Sequence, residues 1–154
     1  MTHFFGDSSV LVKRHVREVG TSWLQALTDP SSGNTIIIAE ISIVEVYSAL
    51  NRRVRETSLD RTGYARVITD FEALCVSEYQ LIELTTPIIS HTRDLLERYP
   101  LRANDALQLV SALTANAALI AAGLPALTFL SADNRLLNAA QTEGLATDNP
   151  NIHP

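Results

Sequence analysis

Among its 154 residues the sequence has one cysteine, Cys75. That excludes an internal disulfide framework and a multi-cysteine zinc site, and it places the lone thiol on the buried face of a helix as a small hydrophobe. The four histidines, His3, His15, His91 and His153, are scattered without paired spacing, so a histidine-rich zinc centre lacks ligands as well. Lysine is nearly absent. Eleven of the twelve basic residues are arginine, and seventeen acidic residues bring the formal net charge to -5. This balance argues against a broad basic surface that grips duplex nucleic acid through many phosphates. It leaves room for a small acidic site with a local basic rim. No apolar stretch reaches the roughly 18 residues needed to span a bilayer. The longest candidate, Ala115 to Leu130, is interrupted by Asn116, Gly123 and Pro125. The first residues also lack the basic and apolar regions of a signal peptide. The expectation is a soluble, cytoplasmic protein with no membrane partner.

What is present is enough apolar sequence, 46%, for one well-buried domain and too little length for two. Loop signals fall at Asp29-Pro30-Ser31-Ser32-Gly33-Asn34 and at Gly123-Leu124-Pro125. A third, Asp148-Asn149-Pro150-Asn151, reads as the start of a frayed tail, so the domain is expected over residues 1–147 and the tail over 148–154. Short apolar runs suggest strands at His3–Gly6, Thr35–Ala39, Gln80–Leu84 and Leu127–Leu130, with a weaker one near Leu145–Thr147. Helical spacing fills the intervals: Ser9–Glu18, Ser22–Leu27, Ser42–Arg55, Arg61–Glu78, Pro87–Tyr99, Ala103–Ala122 and Asp133–Glu143. Short strands joined by helices call for a mainly parallel sheet covered on both faces. The fold class expected is therefore α/β, a single-domain α/β/α sandwich with a short-stranded central sheet. Ala103–Ala122, apolar on nearly every side, should be its central buried helix.

Ligands of such folds bind beyond the carboxyl ends of the strands, and four acids fall near helix starts there. Asp7 follows the first strand, Glu45 lies one turn into the helix after Thr35–Ala39, Asp105 opens the apolar helix, and Asp133 follows Leu127–Leu130. Taken singly, each aspartate is explained equally by capping a helix and complementing its dipole. At the last junction Ser131 is a competing cap, with Asn134 completing a box-like arrangement. Glu45, flanked by Ile41, Ile43, Val44 and Val46, is expected to be partly buried, and a buried carboxylate needs a partner. No lysine or arginine is placed to neutralise all four. A divalent metal resolves the repulsion, and magnesium or manganese suits hard oxygen ligands. Such a site can cleave a phosphodiester with an activated water.

On these residues the chain resembles the PIN-domain family, and within it the toxins of VapBC-type toxin–antitoxin pairs. The opening Phe5-Gly6-Asp7-Ser8-Ser9-Val10-Leu11-Val12-Lys13 is similar to the family's first motif, with Gly6 where an aliphatic residue is usual. Ile41-Ser42-Ile43-Val44-Glu45-Val46-Tyr47-Ser48-Ala49-Leu50 resembles the second, and Leu101-Arg102-Ala103-Asn104-Asp105-Ala106-Leu107-Gln108-Leu109 the third, with Gln108 where many relatives carry histidine. Phe129-Leu130-Ser131-Ala132-Asp133 resembles the fourth. Each motif alone is weak, but the four stand in order and span residues 4 to 147. The resemblance implies Mg2+- or Mn2+-dependent ribonuclease activity, and Asp7, Glu45, Asp105 and Asp133 are the expected catalytic and metal-site acids, binding directly or through waters, with Asp7 and Asp105 the expected direct ligands. It also implies an RNA substrate, single-stranded or a tRNA loop, a homodimer, and inhibition by a cognate antitoxin. Ser8, Ser9 and Ser131 would steady a ligand oxygen or the phosphate, or serve as helix-start hydrogen bonders.

Lys13, Arg14, Arg17, Arg102 and Arg135 are candidate RNA contacts. Arg52, Arg53 and Arg55 form the densest basic cluster, which is equally a helix end with favourably placed cations. Two rival classes fit part of the pattern. One is a non-catalytic PIN-like module that binds protein or RNA. The other is a phosphotransferase with Asp7 as nucleophile, which wants a second aspartate two residues on, where this chain has Ser9.

Overall fold

In the computed structural model, which describes residues 1–154, five strands alternate with seven helices. The order is β1 (His3–Gly6), α1 (Ser8–His15), α2 (Thr21–Leu27), β2 (Thr35–Ala39), α3 (Ile41–Arg55), α4 (Arg61–Ser77), β3 (Gln80–Ile82), α5 (Thr86–Arg98), α6 (Ala103–Ala121), β4 (Thr128–Leu130), α7 (Asn134–Thr142) and β5 (Ala146–Asp148). All five strands pair in parallel, in the order β3-β2-β1-β4-β5. Phe5 at the centre stands opposite both Ile37 and Phe129.

The strands carry apolar side chains to both faces, as a sheet covered on both sides requires. Phe5, Ile37, Ala39 and Phe129 face α5, α6 and α7, where Leu95, Leu109, Val110 and Leu136 complete one core. Ile36 and Ile38 face the other way, onto Leu11, Val46, Leu50 and Phe71 of α1, α3 and α4. A smaller cluster of Val10, Leu24 and Leu130 seats α2 beside β4. The result is the expected α/β/α sandwich, with α6 packed through its alanines. Cys75 is only half-buried, at the edge of the second core.

The C-terminal segment does not fray. Asn149 and Pro150 are buried. The Asn149 side chain caps a short 3-10 turn at Pro150–Ile152 by accepting from the Asn151 N–H, and its amide donates to Asn134 Oδ1. Gly20, at φ +86°, makes room for this tail, because a Cβ there would lie 2.3 Å from the Pro150 carbonyl oxygen. The His153 ring stacks on Trp23 at 4.1 Å and pairs with Asp148 at 2.8 Å. A loop-like sequence was thus held by specific polar contacts that composition does not reveal. No helix is long and apolar enough to cross a membrane.

Phe129 is fully buried and stacked on Phe5, with ring centroids 5.7 Å apart. Phe129→Ala should cost about 3–5 kcal/mol in chemical denaturation. Val76→Ala, at a side chain 90% exposed, should change stability by less than about 0.5 kcal/mol. Equal losses in the two variants would contradict the core assignment.

Candidate active site

The strand order reverses between β1 and β4, and Asp7 stands at the carboxyl end of that junction. Its backbone N–H donates to the Leu130 carbonyl of β4 at 3.2 Å, which holds it at the crevice. Its side chain is the N-cap of α1. Oδ1 accepts from the Val10 N–H at 3.2 Å and from Ser9 Oγ at 2.5 Å, while Oδ2 accepts from Ser131 Oγ at 2.6 Å. Asp7 is only 4% exposed, yet these contacts leave one lone-pair direction of Oδ2 unfilled. Capping and a place in the site are therefore compatible roles for one residue.

Glu45 is half-buried beside it. Ser8 Oγ donates to Oε2 at 3.0 Å, and Gln108 Nε2 donates to Oε1 at 2.8 Å. The Gln108 amide also donates to Ser42 Oγ at 2.7 Å, and its own carbonyl oxygen is buried without a partner. Sequence reasoning named neither Ser42 nor Gln108 as a site residue. The signal was spacing: Gln108 lies three residues after Asp105 and Ser42 three before Glu45, on the same helix faces. Asp105, half-buried in the first turn of α6, faces the same region, while Asp133 is exposed at its rim.

The competing reading at β4 is corrected. Asp133, not Ser131, is the N-cap of α7, accepting from the N–H groups of Arg135 at 2.9 Å and Leu136 at 3.4 Å. Ser131 is fully buried, donates to Asp7 and accepts from the Asp133 N–H. With the N–H of Ala132 donating to Ser9 Oγ at 3.1 Å, the two serines tie the start of α1 to the start of α7.

Burial raises the pKa of three of the acids, and neighbouring carboxylates add to it. Burial pushes Asp7 up to about 6 against its hydrogen bonds to Ser131, Ser9 and Val10, and the charge of Asp105 adds to the rise. Burial also raises Glu45, opposed by Gln108 and Ser8, with Asp105 again adding. Asp105 is raised by burial and by Asp133, and is only partly relieved by Arg102 and Arg135. No cation contacts Asp7 or Glu45 directly.

A cleft of about 420 Å³ opens on this cluster, lined by Ser8, Glu45, Arg52, Arg102, Asn104 and Asp105 among others. No three acidic, histidine or cysteine side chains converge tightly enough to grip one ion between them. The donors are nevertheless all oxygen, and two of them, Asp7 and Glu45, touch no cation. That fits a hydrated hard cation such as Mg2+, which keeps several waters and takes one or two carboxylates directly. It does not fit a closed zinc cage.

The basic candidates divide. Arg102 and Arg135 are exposed beside Asp105 and ease its charge. Lys13 is buried and paired with Glu18 at 2.8 Å. Arg14 is committed elsewhere, to Glu78 at 3.0 Å and the Tyr79 hydroxyl at 2.8 Å, and Arg17 lines a separate polar hollow by α2. Neither faces the acidic cleft.

The model of one protein family, the PIN domain, matches residues 4–140. The chain belongs to the PIN-domain family. A curated relative, Ribonuclease VapC45 of Mycobacterium tuberculosis (strain CDC 1551 / Oshkosh), is 30% identical over 138 residues, which span 90% of this chain and 89% of the relative. Among solved structures, VapBC2 from Rickettsia felis, bound to a DNA fragment from its promoter, superposes with TM-score 0.64 at 12% identity, covering 96% of this chain and 98% of that one. Mycobacterium tuberculosis VapC20, described as a Sarcin-Ricin loop cleaving toxin, superposes with TM-score 0.63 at 13% identity, covering 98% and 99%. At those identities the superpositions establish the PIN fold alone.

In this PIN domain the buried Asp7 has a measurable cost. A carboxyl raised from 3.8 to about 6 holds its proton more tightly folded than unfolded, so stability falls as pH rises through that window. The penalty at neutral pH is about 3 kcal/mol. In chelator, Asp7→Asn should therefore melt at a higher temperature than the parent at pH 7, and the gain should vanish by pH 4. A variant equally or less stable at both pH values would contradict the burial penalty.

Proposed function

We propose that this chain is a divalent-metal-dependent endoribonuclease, the toxin of a type II toxin–antitoxin pair, working with Mg2+ and accepting Mn2+. The observation that carries the reading is the group of carboxylates Asp7, Glu45 and Asp105. Burial at the carboxyl edge of the sheet raises the pKa of all three, the charge of Asp105 adds to the rise of the other two, and no cation is in contact with Asp7 or Glu45. When bound, a divalent cation supplies Lewis-acid polarisation of the phosphodiester and an activated water. Asp7 and Asp105 would hold it directly, and Glu45 and Asp133 through waters.

The chain's own residues do the rest. Ser9 and Ser131 fix the Asp7 carboxylate through Oδ1 and Oδ2. Ser8 and Gln108 clamp the two oxygens of Glu45. Arg102 and Arg135 stand where the RNA backbone would enter, and their planar guanidinium groups suit phosphate oxygens. The name of the curated relative, Ribonuclease VapC45, supports the ribonuclease reading. The VapBC2 complex from Rickettsia felis and FitAB, solved on DNA, support an antitoxin partner. A single-stranded segment or tRNA loop is the proposed substrate form, and a homodimer the proposed assembly.

The test is cleavage of a panel of tRNAs and structured ribosomal RNA fragments by the purified chain, freed of any bound partner. Cutting in Mg2+ or Mn2+ that stops in chelator and in both Asp7→Asn and Asp105→Asn is the expected result. Ser131→Ala, which removes only a support of Asp7, should lose about 10–100-fold in rate. Cleavage that survives chelator, or that both aspartate variants retain, would overturn the mechanism.

A further inference from the structure

A second cleft, of about 340 Å³, lies on the other side of Ser8. Cations outnumber acids in it, whereas Glu45 and Asp105 are matched by Arg52 and Arg102 in the first cleft. Lys13, Arg52 and Arg53 line it, and Glu18 is the acid among them. Ser8, Ala49 and Arg52 are common to the two clefts, so the acidic and basic hollows adjoin.

The basic hollow is built rather than incidental. Lys13 is 5% exposed, and its Nζ meets Glu18 Oε2 at 2.8 Å. Arg53 meets the other oxygen of the same carboxylate through Nη2. Glu18 is itself positioned, since its N–H donates to Thr21 Oγ1 at 2.9 Å, and that hydroxyl donates to the Lys13 carbonyl at 2.8 Å. One carboxylate thus aligns two cations while cancelling only one of them. The exposed side chain of Arg52 makes no ion pair or hydrogen bond. The hollow carries two net positive charges beside a cluster of three raised carboxylates. Burying a lysine is expensive unless it is paired, and stability alone would favour an apolar residue at position 13.

We infer that this hollow, formed by Lys13, Arg52 and Arg53 around Glu18, is a binding site for a backbone phosphate of RNA next to the one held at the acids. The inference rests on the ribonuclease reading above. With a scissile phosphate in the acidic cleft, the strand crosses Ser8 and sets its neighbouring phosphate between Arg52 and the Lys13–Glu18–Arg53 unit. Glu18 keeps the buried Lys13 and the partly exposed Arg53 oriented before RNA arrives, so little side-chain ordering remains to oppose binding. The site reads no base. It fixes which phosphodiester stands at the acids, and so acts as a positioning device for a chain of net charge -5 that lacks a general basic surface.

The experiment is equilibrium binding of a fluorescent nine-nucleotide single-stranded RNA, with calcium replacing magnesium and the integrity of the RNA checked on a gel. The proteins are the parent chain, Arg52→Gln and Lys13→Met. Arg52 is exposed, so its variant keeps the test open if Lys13→Met fails to fold. The expected result is weaker binding by Arg52→Gln, with a log K against log salt slope shallower by about 0.7, one phosphate contact on a single strand. A second arm replaces one phosphate at a time by a neutral methylphosphonate. One position should weaken binding to the parent and make no difference to Arg52→Gln. An unchanged affinity and slope in Arg52→Gln, or a loss tied to no single phosphate, overturns the site. Should the parent cleave RNA with metal while Arg52→Gln binds normally, only this inference falls. If neither binding nor metal-dependent cleavage is found, the ribonuclease reading falls and takes this site with it. Retention of RNA binding by Arg52→Gln alongside loss of an acidic protein partner would reassign the hollow to that partner.

Discussion

The structure turns on one costly placement, a carboxylate buried at the point where the parallel sheet reverses its strand order. Asp7 is held there by the Leu130 carbonyl of the neighbouring strand and by three donors to its side chain. Each of those donors belongs to a segment whose course is then fixed. Val10 and Ser9 commit the first turn of α1, and Ser131 commits the link between β4 and α7. Ser9 and Ser131 in turn accept from the N–H groups of Ala132 and Asp133. The two βα junctions that line the crevice are thus one hydrogen-bonded unit with the aspartate at its centre. A sandwich selected only for stability would place a neutral residue there.

The rest of the site repeats that pattern from the other direction. Glu45 comes from α3 and Asp105 from α6, which brings the two layers of the sandwich together at one edge. Gln108 spans them, donating to both Ser42 and Glu45 from the same helix that carries Asp105. The acids face one another more than they face cations. Across Ser8 the sign reverses, and Lys13 and Arg53 share the carboxylate of Glu18. In the reading proposed above, carboxylates on one side of Ser8 and net positive charge on the other orient a strand whose phosphates are gripped at one place and attacked at another. Electrostatics of this kind act at short range, because salt screens anything beyond about 8–10 Å.

Much of this was legible in the sequence because it follows from patterns with a fixed physical period. The Ile36-Ile37-Ile38 run, bounded by turn residues, could only be a strand buried on both faces, and the helical intervals then required parallel pairing. The four acids were legible because each stands at a strand or helix end, where side chains gather at one edge. What was missed depends on contacts between distant residues. Whether Ser131 or Asp133 caps α7 is decided by Asp7, 124 positions away from Ser131. The tail from Asn149 onward looks like loop, and it packs because Gly20 leaves space for Pro150. Arg14 looked like a free cation on an early helix, and Glu78 with Tyr79 takes it. Gln108 carried a spacing signal that went unused because glutamine is not an expected ligand.

The central claim is that burial raises the Asp7 carboxyl to about 6, with the charge of Asp105 adding to the rise, and that a divalent cation offsets this cost. Metal binding to such a cluster must displace protons. The most direct measurement is calorimetric titration of Mn2+ into the metal-free chain near pH 6 in two buffers of different ionisation enthalpy, which counts the protons released per ion bound. One ion with release of about half a proton from a group titrating near 6 is the predicted result, falling toward zero at pH 8, where Asp7 is already ionised. Absence of binding, or binding with the same proton count at both pH values, would contradict the account.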